Sequence, residues 1–343
     1  MFQPSIPPTP SGISLAGQTI IVTGGNSGVG FEAARQFLVL GAARLIITSR
    51  SASRGATAVA ALKADPEVQL ANGKAVIEAY ELELADYRSG QRFVDRVRAE
   101  VPELDVLLAN AGQFVTRREN VQSAAGGHER NMQVNCYTHL LICLELLPLL
   151  VATARARGVQ GRPARITFTG SATHVLQETL TNDPVRFDAG ETVIGHFDDP
   201  THFSRLNRYA DTKLCINAHV RKLAALTDSP DLVIVNNVCP GLLHATHLDD
   251  SLPFYLRYPT ALARLVAGRS VQQGARTLVY AAVVGGPETN GTFLQQNKIH
   301  PGAKFLNTAD GQKFIDALWT ESVADCAKFD STLGKYSHAP IAL

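Results

Sequence analysis

The sequence carries almost no net charge: 32 Lys and Arg nearly cancel 31 Asp and Glu, leaving +1. Without a basic surplus or basic block, nucleic acid and anionic membranes are excluded as main partners, and a small molecule is favoured. Cysteine is sparse and unpaired in pattern. Cys136, Cys143, Cys215, Cys239 and Cys326 are odd in number and show no CxxC spacing. That argues against a disulfide framework or a metal site and for buried, reduced thiols that pack as small apolar residues. No long apolar run survives uninterrupted. Leu140 to Ala154 comes nearest, but Glu145 and Pro148 break it, and it falls short of the ~20 residues that span a bilayer. The opening MFQPSIPPTPSGIS has prolines at 4, 7, 8 and 10 but no basic n-region or apolar h-region. This is not the pattern of a signal peptide, so residues 1–14 are expected to form a loose or draped tail and the protein to be cytoplasmic. Internal repeats and low-complexity linkers are also missing.

What is present fits one folded unit. Apolar residues at 45% and charged residues at 18% exclude a disordered or collagen-like chain. Length alone, at ~150 residues per domain, gives about two domains, but the pattern reads as one domain over 15–343. Short β-rich runs alternate with longer helical ones. Strands are expected at 19–23, 44–49, within 74–84, and at 105–109, 165–169 and 232–238. Helices are expected at 29–40, 53–63, 93–100, 127–154, 208–226, 271–284 and 310–328, the last amphipathic and used for packing. This alternation is the mark of an α/β, doubly wound parallel sheet with helices on both faces.

Between the first strand and first helix lies Thr23-Gly24-Gly25-Asn26-Ser27-Gly28-Val29-Gly30. Glycines there let the backbone approach a pyrophosphate, and the helix N-terminus offers free N–H groups and a positive dipole end. The Gly-x3-Gly-x-Gly spacing, Asn110-Ala111-Gly112 after the fourth strand, Ser171 after the fifth, Tyr209-Ala-Asp-Thr-Lys213 and Pro240-Gly241 after the sixth occur in one order. Together, from about Leu15 to Val284, they resemble the short-chain dehydrogenase/reductase family. The resemblance implies a Rossmann-type fold, a single domain with inserts around a substrate pocket, and a nicotinamide cofactor. That cofactor would be held by Gly24, Asn26, Ser27, Gly28, Val29, Gly30, Asn110, Ala111, Gly112, Tyr209, Lys213, Pro240 and Gly241.

The second strand ends Thr48-Ser49-Arg50, with Arg54 a helical turn later. A carboxylate there would favour NAD, whereas forked, permanently charged donors suit a 2′-phosphate, so NADP(H) is expected. The alternative is that Arg50 is an ordinary solvated charge. Glu83 and Leu84 take the place where the family usually has an aspartate near the adenine.

A carbonyl accepting hydride needs its oxygen polarised and protonated. Tyr209 and Lys213, four apart on a helix, share one face, so the lysine can stabilise a tyrosinate. By resemblance Lys213 also holds the nicotinamide ribose, Ser171 hydrogen-bonds the substrate oxygen, and Asn135 positions a water linking Lys213 to solvent. The chain departs from the compact members in placing Ser171 and Tyr209 38 positions apart, with a polar insert over 175–207. In this it is more like retinol-dehydrogenase-like and fungal biosynthetic members. His174 either meets the substrate or satisfies local backbone groups. Thr138 replaces a family glycine, and Thr246 stands one residue late for its nicotinamide contact.

Residues 243–270, with His244, Tyr255 and Tyr258, are expected to cover the substrate as a lid. The reading is an NADP(H)-dependent reductase of a ketone or aldehyde on a bulky, partly apolar molecule such as a secondary-metabolite intermediate. The alternatives are a non-catalytic NADP-binding sensor, or an enzyme that acts on an imine or alkene or oxidises an alcohol. Helices 130–154 and 208–226 either pair with a second copy, giving a homodimer or homotetramer, or are covered within one chain.

Overall fold

The computed structural model describes residues 3–121, 127–158, 162–181, 187–188, 190–227, 229–244, 261–262 and 264–337. Its strands are β1 (Thr19–Val22), β2 (Arg44–Ser49), β3 (Val76–Glu81), β4 (Val106–Ala109), β5 (Ala164–Thr169), β6 (Val233–Cys239), β7 (Phe293–Gln295) and β8 (Lys298–His300). They form one sheet in the order β3-β2-β1-β4-β5-β6-β7-β8. The first seven run parallel and β8 runs antiparallel to β7. The six strands read from sequence are therefore joined by two more, and the sheet is not wholly parallel. Both added strands are three residues long, too short to show a period. They are joined by Gln296 and Asn297 at φ 56° and 59°, the left-handed pair of a tight hairpin turn.

Eleven α-helices flank the sheet among the described residues: α1 (Gly28–Val39), α2 (Ala52–Ala64), α3 (Pro66–Asn72), α4 (Tyr87–Glu100), α5 (Arg130–Met132), α6 (Thr138–Arg157), α7 (Thr173–Thr181), α8 (Val193–Asp198), α9 (Asn207–Leu226), α10 (Val271–Val279) and α11 (Ala309–Cys326). Alternation along the strands divides the interior in two. Ile20, Val22 and Val106 face α1 and α10, while Ile21 and Leu107 face the larger cluster containing α4, α6, α9 and α11. Burial on both faces explains why these strands read as continuous apolar runs. Helix α6 and the turns before it are apolar and long enough to cross a membrane by length and composition, yet they are mostly buried in this core. The insert is less irregular than its sequence: α7, α8 and a 3-10 turn at Pro200–His202 lie within it.

Strand order reverses between β1 and β4, opening a crevice at the carboxyl ends where ligands of such sheets bind. A buried polar hub ties the far side together. His128 lies 2.7 Å from Asp198 and 2.9 Å from Asp325, and the Tyr87 hydroxyl donates to Asp325 at 2.7 Å. Burial disfavours charge on His128, but its two carboxylate partners outweigh that and raise it from 6.5 to about 9. A group raised on folding stabilises fully below its unfolded value and loses that contribution as pH rises through its folded one. Stability should therefore fall between pH 6.5 and about 9, by up to about 3 kcal/mol from this group. Denaturant titrations of wild type and His128→Gln across that window test this, and parallel curves for the two proteins would contradict it.

Candidate active site

The glycine loop is held from both sides. Gly24 N donates to Thr48 Oγ1 at 3.0 Å, linking it to the end of β2. Thr23 Oγ1 accepts from the backbone N–H groups of Asn110 and Ala111 at 2.9 Å each, while Asn110 Nδ2 donates to the Thr23 carbonyl at 2.9 Å. Gly24 and Gly28 adopt φ +63° and +58°, the left-handed region that favours glycine. At Gly30 a Cβ would collide with the Asn110 amide and lie 2.7 Å from the Gly24 carbonyl, so only glycine allows this packing. Helix α1 then begins with no side-chain cap from Ser27 and no acidic residue in its first turn. Its free N–H groups face outward where a Cβ at Gly28 would meet open space, which suits an anionic group. Arg50 and Arg54 are exposed just past β2, and among the described residues neither guanidinium is taken up by an ion pair or hydrogen bond.

At the next strand ends, Lys213 is buried with 3% exposure, and Nζ donates to the Thr169 carbonyl at 2.8 Å. It lies 5.3 Å from the centroid of the Tyr209 ring. Burial lowers it from 10.5 to about 8, with no carboxylate paired to it among the described residues. Asn135 sits in a π-helical turn, Gln133–Tyr137, that interrupts the run from α5 to α6. Such bulges re-aim a side chain that a regular helix would point elsewhere. Its amide closes a two-way clamp on Gln113, accepting from N and donating to O at 2.9 Å each, and also donates to Thr212 Oγ1 at 3.1 Å. A Cβ at Gly112 would lie 3.2 Å from Asn135 Oδ1 and 3.8 Å from Lys213 Nζ, so both groups face this glycine. Ser171 follows β5, half-buried, with Oγ accepting from Thr173 N at 3.2 Å.

The family model described as short chain dehydrogenase matches residues 18–176. "Short chain dehydrogenase sor7" of Hypocrea jecorina is 58% identical over 299 residues, covering 87% of this chain and 80% of its own length. The chain belongs to the short-chain dehydrogenase family. "Short chain dehydrogenase macD" of Penicillium terrestre is 35% identical over 323 residues, covering 94% of this chain and 95% of that protein. Among solved structures, the Pseudomonas aeruginosa RhlG/NADP active-site complex superposes with TM-score 0.59 at 22% identity, covering 84% of this chain and 97% of that one. A short chain dehydrogenase from Burkholderia cenocepacia in complex with NADP gives 0.56 at 24%, with 82% and 96% covered.

Within this short-chain dehydrogenase the sequence-read residues fall as follows. Gly24 to Gly30, Asn110 to Gly112, Asn135, Lys213 and Tyr209 gather in one constellation through the contacts above. Glu83 turns its carboxylate back on the chain, accepting from Ala85 N at 2.9 Å. Leu84 is buried, and Thr138 uses its hydroxyl to hold the Leu84 carbonyl at 2.7 Å. Pro240 and Gly241 follow β6, with Gly241 at φ +83°. His174 is buried, with Nδ1 2.5 Å from the Ser171 carbonyl and Nε2 3.3 Å from Asn217 Nδ2. Both ring nitrogens are committed to protein groups, so the ring braces the Ser171 turn from behind; this favours the local backbone role over a substrate contact. His244 is exposed beside Gly268. Val29 lies half-buried in the first turn of α1 beside the open glycines. Thr246, Tyr255 and Tyr258 lie outside the described residues.

Several contributors escaped the sequence reading. Cys239, read there as a filler, accepts through Sγ from Ala172 N and Gly241 N at 3.3 Å each, tying the Ser171 turn to the Pro240-Gly241 turn. His139 meets Thr23 Oγ1 at 3.0 Å from beneath the loop. Gln3 donates to the carbonyls of Leu242 and Ala267 and accepts from Leu242 N, so the N-terminal segment joins the turn after β6 to the residues before α10. No residue motif signals these, because each pairs groups distant in the chain.

Proposed function

We propose that this short-chain dehydrogenase is an NADP(H)-dependent reductase that converts a ketone or aldehyde of a bulky, partly apolar small molecule to an alcohol. The observation that carries the reading is the buried Lys213 cation, free of any carboxylate among the described residues and facing the Tyr209 ring. An uncompensated cation lowers the cost of a nearby phenolate, so Tyr209 can release its proton to a substrate oxygen near neutral pH. Ser171 donates a hydrogen bond to the same oxygen and favours the charge that develops there. Asn135 holds the 112–113 turn in place beside Lys213 and positions a water that returns the proton from solvent. Bound reduced NADP supplies the hydride.

The cofactor preference rests on Arg50 and Arg54, two exposed guanidinium groups past β2 with no ion pair or hydrogen bond among the described residues, and on an α1 N-terminus without a side-chain cap. The NADP found in the RhlG and Burkholderia cenocepacia structures is in keeping with it. The substrate class, a secondary-metabolite intermediate, rests on kinship with fungal short-chain dehydrogenases and on the long insert and lid.

The single chain is the working unit in this reading. Of α9, only Ala225 is exposed. Helix α11 covers its outer side: His219 meets Ser322 at 3.1 Å, Lys222 pairs with Asp316, and the Trp319 ring meets His219 edge-on. At α9 this supports coverage within one chain rather than pairing with a second copy.

Two measurements test these points. Titration with NADPH and NADH should give tighter NADPH binding, and Arg50→Ala should weaken NADPH about tenfold while leaving NADH unchanged; equal loss for both would contradict the phosphate role. Light scattering should give a mass near 36.8 kDa, and a stable dimer would contradict the single-chain unit.

A further inference from the structure

We infer that Arg208, the residue before Tyr209, is a positioning residue that holds the proton donor in place by tying the insert to the start of α9. The inference rests on the reading of Tyr209 given above. Arg208 has no solvent exposure. Its two terminal nitrogens donate to backbone carbonyls at two separate points of the insert, Nη1 to Phe197 and Nη2 to His202 at 3.1 Å. The guanidinium lies over the rings of Phe197 and Phe203, 5.2 and 5.3 Å from their centroids. Glu129, also fully buried, is 3.6 Å away, and Asp211 is 3.5 Å from Nε.

A buried ion pair of this kind adds little net stability over an apolar pair of the same size, because desolvation offsets most of the attraction, whereas removing Arg208 alone leaves Glu129 buried without its cation. What the guanidinium gives is geometry. Helix α9 takes no side-chain cap from its N-cap residue Leu206, and Ser204 Oγ reaches only the Asn207 N–H, at 3.3 Å, so the first turn, which carries Tyr209, has little of the usual anchor. The planar fork of Arg208 replaces that anchor with fixed contacts to Phe197 and His202. Glu129 in turn accepts from Met132 N and Asn131 Nδ2 just before the π turn that carries Asn135. Arg208 therefore joins the two elements that bear Tyr209 and Asn135 to the insert that sets this chain apart from compact relatives. A lysine cannot reproduce the planar fork, and a methionine keeps only the bulk.

The test follows Tyr209 by its own spectrum. The pH titration of tyrosinate absorbance is recorded on the full chain saturated with NADP+, as the difference between each protein and its Tyr209→Phe counterpart. In wild type Tyr209 should ionise below the ordinary ~10. Arg208→Met should raise it by about one unit or more, and Arg208→Lys should restore part of the shift. NADPH affinity should stay within about threefold in both. A folded, NADPH-binding Arg208→Met in which Tyr209 titrates as in wild type would overturn the inference alone. Loss of cooperative folding in both variants would also overturn it, assigning Arg208 to stability. A wild-type Tyr209 that ionises only near ~10 would instead overturn the proton-donor reading and this inference with it.

Discussion

A buried lysine without a carboxylate partner among the described residues is the constraint around which this site is arranged. Taking Lys213 out of water lowers it from 10.5 to about 8, on the order of 3 kcal/mol of discrimination against its charged form. The carbonyl of Thr169 offsets part of that through a single hydrogen bond. A carboxylate would offset more, but it would also neutralise the field that a phenol beside it can use. Keeping the cation unpaired therefore demands that everything around it be fixed by other means.

Those other means are short-range polar ties between strand ends. Asn135 pins the turn after β4, Thr23 gathers the same turn from the glycine loop, and Cys239 joins the turns after β5 and β6. The result is four loops at the carboxyl edge of the sheet whose backbones constrain one another. The insert and the C-terminal helix extend this network outward through Arg208, Glu129 and the His128–Asp325 pair. The insert and the C-terminal helix thus brace the Tyr209 end of α9 and cover its outer face.

How much of this was legible in the sequence follows from which contacts are local. The strands of the central sheet, the glycine loop and the Tyr209–Lys213 face depend on spacing within a few residues, and all were readable. β7 and β8 were not, because three-residue strands owe their existence to the neighbouring edge of β6. The π turn at Asn135 was read as plain helix, since one extra residue per turn leaves no trace in apolar periodicity. Cys239 was read as filler because its role depends on two N–H groups brought together only by the sheet. His174 was left open between two roles from sequence, and in the fold both of its ring nitrogens meet protein groups, which no local pattern announces.

The most direct measurement is Tyr209→Phe with two readouts: NADPH-dependent turnover across a panel of bulky ketones and aldehydes, and NADPH affinity by titration. Removing only the phenolic hydroxyl should reduce turnover by roughly 10²-fold or more while leaving affinity unchanged. Carbonyl reduction that survives in Tyr209→Phe at the wild-type rate would contradict the proton-donor role of Tyr209.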